Sequence, residues 1–185
     1  LLAGGPLAVL VSFAFVDPPS TLRTIAALGG REMRQDWVPL ERIAPDLARA
    51  VILSEDARFC LHFGVDLAQL RIAASYLRKA AEIPLAVLLD LFLSKDRILE
   101  IYLNVAQTGP AEIGVEAGAR RFFGVSAAAL STRRAALLAA ALPSPAVRNP
   151  NRPTRAQAAQ AARIERELPR SGWLFACLDI GPRGG

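Results

Sequence analysis

Glu55 is the side chain whose setting could do chemistry. It follows Leu47 and Val51 at successive helical steps of four, on a stretch that opens with Pro45-Asp46. That line points the carboxylate toward packed surroundings rather than water. Burial disfavours the charged form of a carboxyl group and raises its pKa. A carboxylate held near neutrality is what a general base needs. A plainer reading stands beside this one: Arg58, at i+3, could simply pair with Glu55 in a structural salt bridge. The remaining reactive side chains offer less. A single histidine, His62, removes histidine-based zinc sites and argues against a Ser-His-Asp hydrolase. Cys60 and Cys177 have no metal-ligand spacing and cannot build a disulfide framework. They would bridge only if their Cα atoms came within ~7 Å, and they are expected to stay unpaired.

The elements that must position Glu55 belong to a chain of 185 residues, a length that suits one domain with a real core. Hydrophobic residues make up 52% and charged residues 21%, which excludes a disordered chain. The mean hydropathy of +0.30 is high, and Leu1–Val16 causes it: sixteen uncharged residues closed by Asp17-Pro18-Pro19-Ser20. As a helix they reach ~24 Å, a little short of a ~30 Å hydrocarbon core. The stretch reads as part of a membrane anchor, residues 1–16, ahead of a domain over 17–185. The alternative is the apolar region of a cleaved signal peptide. Either reading carries the rest of the chain out of the cytoplasm. Charge is uneven: residues 120–185 hold 11 Arg against three acidic residues, +8, while residues 1–119 sum to −3. A basic half invites an anionic partner, but 20 of the 22 basic residues are Arg in an Ala-rich chain, a bias that genome composition alone can produce. With aromatic residues at 6% there is no stacking platform, and nucleic acid is discounted.

The periodicities predict a mainly α fold. Helices are expected from Asp46, over the apolar Tyr76–Leu93 with a kink at Pro84, and after Ser94, where Ile98, Ile101 and Tyr102 share a face. Further helices are expected around Val115–Phe122, ended by Gly124, from Thr132 to Leu142, and over Thr154–Leu168, closed by Pro169. Gly29-Gly30 is read as turning a small hairpin between 22–28 and 31–38. No alternating segment is long enough for a sheet core.

Four ordered blocks raise the Glu55 reading above its alternative. Ser54–Asp66 (SEDARFCLHFGVD) resembles the first signature of the peptidoglycan glycosyltransferases, glycosyltransferase family 51: Glu-Asp, then Phe, then His-x-Gly-x-Asp. Arg78–Glu82 (RKAAE) is similar to that family's Arg-Lys-x-x-Glu block, and Lys95–Asn104 (KDRILEIYLN) to its Lys-x-x-Ile-Leu-Glu-x-Tyr-Leu-Asn block, continued by Gly109, Gly114, Ala119 and Phe122-Phe123-Gly124. Ala135–Pro150 (AALLAAALPSPAVRNP) looks like the last signature. Blocks in this order over residues 37–152 are far more specific than a lone short motif. The length, with no room for a transpeptidase domain, looks like the monofunctional biosynthetic kind.

The resemblance implies a lysozyme-like glycosyltransferase domain with an N-terminal membrane helix and at most a small β hairpin. It implies polymerisation of lipid II into β-1,4 glycan strands with inversion and release of polyprenyl diphosphate, on the periplasmic side of a bacterial inner membrane. Glu55 and Glu82 are then the catalytic carboxylates. Arg78, Lys79 and, more weakly, Lys95 would face the leaving pyrophosphate, where fixed cations lower the barrier. Asp56 would contact substrate or cap a neighbour, and His62 would be a hydrogen-bonding anchor. Glu82 would activate the acceptor or hold a divalent ion, Mg or Mn, at the pyrophosphate; at i+4 from Arg78 it could equally be an orienting salt bridge. No cofactor is required. Partners would be lipid II, the growing glycan, membrane lipid and other cell-wall synthesis proteins. Glu100, Tyr102 and Asn104 are read as holding helices together, and Gly109 and Gly114 as allowing close backbone approach.

One family signature, Gly-x-Ser-Thr-Ile-x-x-Gln-Gln, has no counterpart here, because only Leu67–Leu77 separates Asp66 from Arg78. Either the gene carries a deletion, or residues of a longer chain are absent near Ala73–Ser75. The well-matched flanks favour the second, which predicts consecutive Cα atoms there much farther apart than ~3.8 Å. A true deletion would make the chain an inactive, membrane-anchored scaffold. A lysozyme-like glycan hydrolase is the other alternative.

Overall fold

The computed structural model describes residues 12–13, 15–18, 27, 29–30, 32–62 and 90–180. In chain order the elements are β1 (Arg34–Gln35), α1 (Pro45–Glu55), α2 (Lys95–Val105), β2 (Glu112–Ile113), α3 (Val115–Phe123), α4 (Thr132–Ala141) and α5 (Arg155–Glu167), with short 3-10 turns between and after them. The fold is mainly α, as the periodicities predict. The expected Tyr76–Leu93 helix and its Pro84 kink lie outside the described residues, apart from residues 90–93.

Helix boundaries follow local chemistry. Pro45 occupies the first turn of α1, where its missing N–H costs nothing. Ser94 caps α2 by accepting from the Arg97 N–H at 3.2 Å. Thr154 and Gln157 form a reciprocal capping box at the start of α5. Gly124 ends α3 in the left-handed region, φ +68°.

The core lies where α1 and α5 pack against α4. Helix α4 buries Ala135, Ala136, Ala139, Ala140 and Ala141 beside Leu138; methyl side chains let the neighbouring backbones come close. Leu47, Leu103 and Leu138 are fully buried, each contributing about 1.5–3 kcal/mol.

Helix α2 is tied to the segment before α1 by Asn104, which is wholly buried. Its amide accepts from the Val38 N–H and donates to the Val38 carbonyl, both at 2.8 Å, and donates to the Glu100 carbonyl at 2.9 Å. Glu100 accepts from the Leu40 N–H at 2.8 Å. Gly114 meets the same turn: at φ +82°, a Cβ there would stand 2.9 Å from the Asn104 carbonyl oxygen. Close approach at Gly114 is thus required, and Glu100 and Asn104 do hold elements together.

Two expectations need correction. The β structure is no hairpin: β1 pairs in parallel with β2, Arg34 opposite Glu112 and Gln35 opposite Ile113. A two-residue pairing leaves no periodicity to read, and a Gly-Gly turn says nothing about a partner 78 positions away; the first arm of the expected hairpin, bar residue 27, lies outside the described residues. Nor are the cysteines unpaired. Cys60 and Cys177 form a disulfide with Cα atoms 5.5 Å apart, because the segment after α5 folds back along α1. Arg49 of α1 donates to the Ile180 carbonyl at 2.8 Å and lies over the Phe175 ring.

Among the described residues no helix is long and apolar enough to cross a membrane. Of the expected anchor over 1–16, only Ser12, Phe13, Phe15 and Val16 are described.

Candidate active site

Glu55 is the last residue of α1, and the chain leaves helical geometry at Asp56, φ −151°. Leu47 and Val51, on the same line, are buried as the pattern predicts. Glu55 is not; as a residue it is exposed. The helix ends there, so the line that carries the leucine and valine into the core delivers the glutamate to its rim. It stands at a cavity of about 230 Å³ whose walls are Val51, Ile52 and Phe59 on one side and Ile98, Leu99 and Tyr102 of α2 on the other, with Asp56 beside Glu55.

These apolar walls desolvate the carboxyl and raise its pKa above the ordinary value. Two opposing influences are smaller: a hydrogen bond from the Tyr102 hydroxyl and the positive charge of Arg148. Arg148 is fixed from behind, its Nη1 donating to the Ala140 carbonyl at 2.8 Å near the end of α4. Among the described residues the groups that offset burial at Glu55 are Tyr102 and Arg148, and Arg58, the partner expected at i+3, is not one of them. Tyr102 itself is pushed up to about 12, first by burial and then by its carboxylate neighbour. A carboxylate half in solvent, lifted by apolar walls and steadied by a neutral donor and a fixed cation, can accept a proton.

The other expected site residues are placed unevenly. Asp56 caps the following turn, its Oδ1 accepting from the Arg58 N–H at 3.1 Å, and its Oδ2 lies 2.6 Å from His62 Nε2. His62 thus makes a hydrogen bond of the kind expected of an anchor, and Asp56 both caps the turn and borders the cavity beside Glu55. Lys95 is held by Asp90 at 2.8 Å and by the His62 carbonyl at 3.0 Å, with its ammonium 4.8 Å from the Phe59 ring centroid. It braces the loop carrying Phe59 and His62 and does not line the cavity. Arg78, Lys79 and Glu82 lie outside the described residues, as does the stretch around Ala73–Ser75. Among the described residues no three His, Cys, Asp or Glu side chains gather to hold a metal ion.

Sequence reasoning missed Tyr102 and Arg148 as site residues. The face shared by Ile98 and Tyr102 was a signal, since one wall of the cavity is that face.

Comparison with known proteins bears on what this arrangement serves. The transglycosylase family model matches residues 21–76 and 68–168. The chain belongs to the transglycosylase family. Its relatives include the biosynthetic peptidoglycan transglycosylase of Brucella suis biovar 1 (strain 1330), 41% identical over 203 residues that cover 93% of this chain and 90% of the relative. The protein of that name from Rhizobium meliloti (strain 1021) is 42% identical over 195 residues, 89% of this chain and 82% of the relative. That from Mesorhizobium japonicum is 40% identical over 198 residues, 90% and 83%. The transglycosylase is accordingly an enzyme of the glycosyltransferase class. Its family match comes in two stretches that share residues 68–76. The 203 positions aligned with the Brucella relative also exceed the whole length of this 185-residue transglycosylase, so that relative carries extra positions within the matched region.

Proposed function

We propose that this transglycosylase polymerises lipid II into β-1,4 glycan strands, with Glu55 as the general base. The observation that carries the reading is the placement of Glu55: a desolvated carboxylate, steadied by Tyr102 and Arg148, at the mouth of an apolar cavity. Glu55 takes the proton from the 4-hydroxyl of the acceptor's N-acetylglucosamine. The freed oxygen attacks the donor's anomeric carbon from the face opposite the leaving group. The bond from that carbon to the pyrophosphate oxygen breaks, the polyprenyl diphosphate departs, and the configuration inverts. Negative charge grows on the departing pyrophosphate, and Arg78 and Lys79 are the proposed cations beside it. Glu82 is the proposed second carboxylate and the residue that would hold a divalent ion there. Lys95, already engaged by Asp90 and His62, contributes by holding the loop.

The Cys60–Cys177 disulfide supports a catalytic domain outside the cytoplasm, since disulfides persist in oxidising compartments. The proposed location is the periplasmic side of a bacterial inner membrane, reached through an anchor that includes residues 1–16. The domain itself is proposed to share the lysozyme-like architecture.

The test incubates labelled lipid II with the full chain and with Glu55→Gln. Glycan strands from the wild type and a loss of about 10²-fold or more in the variant are expected, the scale typical of a lost general base. Equal rates would remove Glu55 from the mechanism. Wild-type chain that makes no glycan would favour the inactive scaffold. Shortening of preformed glycan would favour a hydrolase.

A further inference from the structure

The turn after α4 closes on itself, the Val147 and Arg148 N–H groups both donating to the Ser144 carbonyl, at 3.2 and 2.9 Å. Val147 is thereby held out into solvent, 84% exposed, while Arg148 is pinned by its Nη1 to the Ala140 carbonyl at 2.8 Å. The carbonyl one residue earlier, Ala139, lies 3.5 Å from Ser54 Oγ, the side chain next to Glu55. Consecutive carbonyls of α4 thus fix Arg148 and the end of α1 side by side. Arg148 also lines a second cavity, of about 280 Å³, which shares no wall residue with the one at Glu55. Its other walls include Val147, Arg121 and Phe122 of α3, and Glu112 of β2. Glu112 is buried and already engaged: its Oε1 is 3.3 Å from Arg121 Nε, and its Oε2 accepts from the Ala111 N–H at 3.1 Å. Gly109 makes room for that carboxylate, since a Cβ there would strike it. Two guanidiniums against one committed carboxylate leave the cavity with one positive charge in excess.

We propose that this second cavity is a binding subsite for a carboxylate on a short peptide, the peptide being the one carried by the acceptor. The inference rests on the polymerase reading above for the identity of the acceptor. Three features select the chemistry. Arginine forks match carboxylates in two-point geometry, and the Ala140 bond takes up only one nitrogen of the Arg148 guanidinium. The apolar walls, Phe122 and Val147, suit the small aliphatic groups that flank a peptide carboxylate, and such a ligand covers the exposed Val147. At about 280 Å³ the cavity is at the small end of ligand sites, with room for the end of a peptide rather than a run of sugars. The acceptor is favoured over the elongating strand by the shared anchorage at α4. Arg148 is fixed beside the end of α1, and Glu55 at that end is where the acceptor's hydroxyl gives up its proton.

The test uses the stem peptide of lipid II, free of sugar and lipid, and the same peptide with every carboxyl converted to a primary amide, which keeps the size and removes the charge. Each is titrated into the full chain and into Arg121→Gln, with binding followed by NMR. The wild type is expected to bind the acid form about tenfold more tightly than the amide, the scale of a charge-assisted hydrogen bond at a part-exposed site. Arg121→Gln is expected to narrow that gap to about threefold or less. Arg148→Lys, which keeps the charge and loses the fork, gives the same narrowing if Arg121→Gln does not fold. Equal affinity of the wild type for the two peptides, binding of neither, or a gap that the variants leave intact would overturn the inference. Polymerisation then assigns the source. With amides on the acceptor alone, KM for the acceptor rises about tenfold while kcat holds, as loss of uniform binding requires; with amides on the elongating strand alone, neither moves. The reverse pattern would overturn the acceptor assignment. If the full chain makes no glycan, that assignment falls with the polymerase reading, and the peptide titration still decides the subsite on its own.

Discussion

Reducing the Cys60–Cys177 bridge should lower the melting temperature substantially and weaken the cavity at the same time. The bridge joins residues 117 apart. In the chain-entropy description, closing a loop of that size removes about 5 kcal/mol of unfolded-state freedom at 25 °C, while loss of a native disulfide typically costs 2–5 kcal/mol. For a domain of this length each kcal/mol moves the melting temperature by about 2–4 °C, so the expected fall is roughly 5–20 °C. The assay is a thermal melt of the oxidised protein, of the same protein with a phosphine reductant, and of the Cys60→Ser/Cys177→Ser double variant. The double variant should melt like the reduced protein and ignore the reductant. Activity should fall with it, because Cys60 adjoins Phe59, a wall of the Glu55 cavity. Two titratable thiols in the denatured, unreduced protein would refute the bridge. A melting temperature indifferent to reductant would refute the reasoning from loop closure.

Stability should also report the cost of the proposed base. Burial raises the Glu55 pKa in the folded state, so its charged form is disfavoured there; the favourable contribution is present below the ordinary carboxylate range and lost as pH rises through the raised value. Glu55→Gln should therefore be more stable than the wild type at neutral pH in urea titrations, with the gap closing toward acid pH. A gap that widens in acid would reverse the sign. Asn104→Ala should cost about 2–4 kcal/mol, since it leaves the buried Val38 N–H and carbonyl without their partner; a urea midpoint within error of wild type would contradict that role.

Much of the scaffold was legible because its signals are local. Ser94, Thr154 and Gly124 mark helix ends through bonds or backbone angles that involve only near neighbours, and Leu47 and Val51 give the buried face of α1. The site was legible in its central residue and less so around it. Periodicity says which side of a helix Glu55 occupies but not that the helix stops there, and so it overstates the burial. Tyr102 and Arg148 reach Glu55 from 47 and 93 positions further along the chain, a relation no spacing rule contains. The disulfide and the two-residue parallel pairing escaped for the same reason: both are long-range contacts without a repeating pattern. The family blocks supplied Arg78, Lys79 and Glu82, but these lie outside the described residues.

Arg97 opens the same helix that carries Tyr102. Its Nε donates to the Phe13 carbonyl at 2.8 Å, and its Nη2 donates to the Val16 carbonyl at 3.0 Å and to the Asp17 carboxylate at 2.9 Å. One guanidinium therefore joins three points of the segment 13–17 to the helix that borders the Glu55 cavity. That segment follows α2 as a fixed strip rather than trailing from it. Substituting Arg97 would remove all three attachments at once.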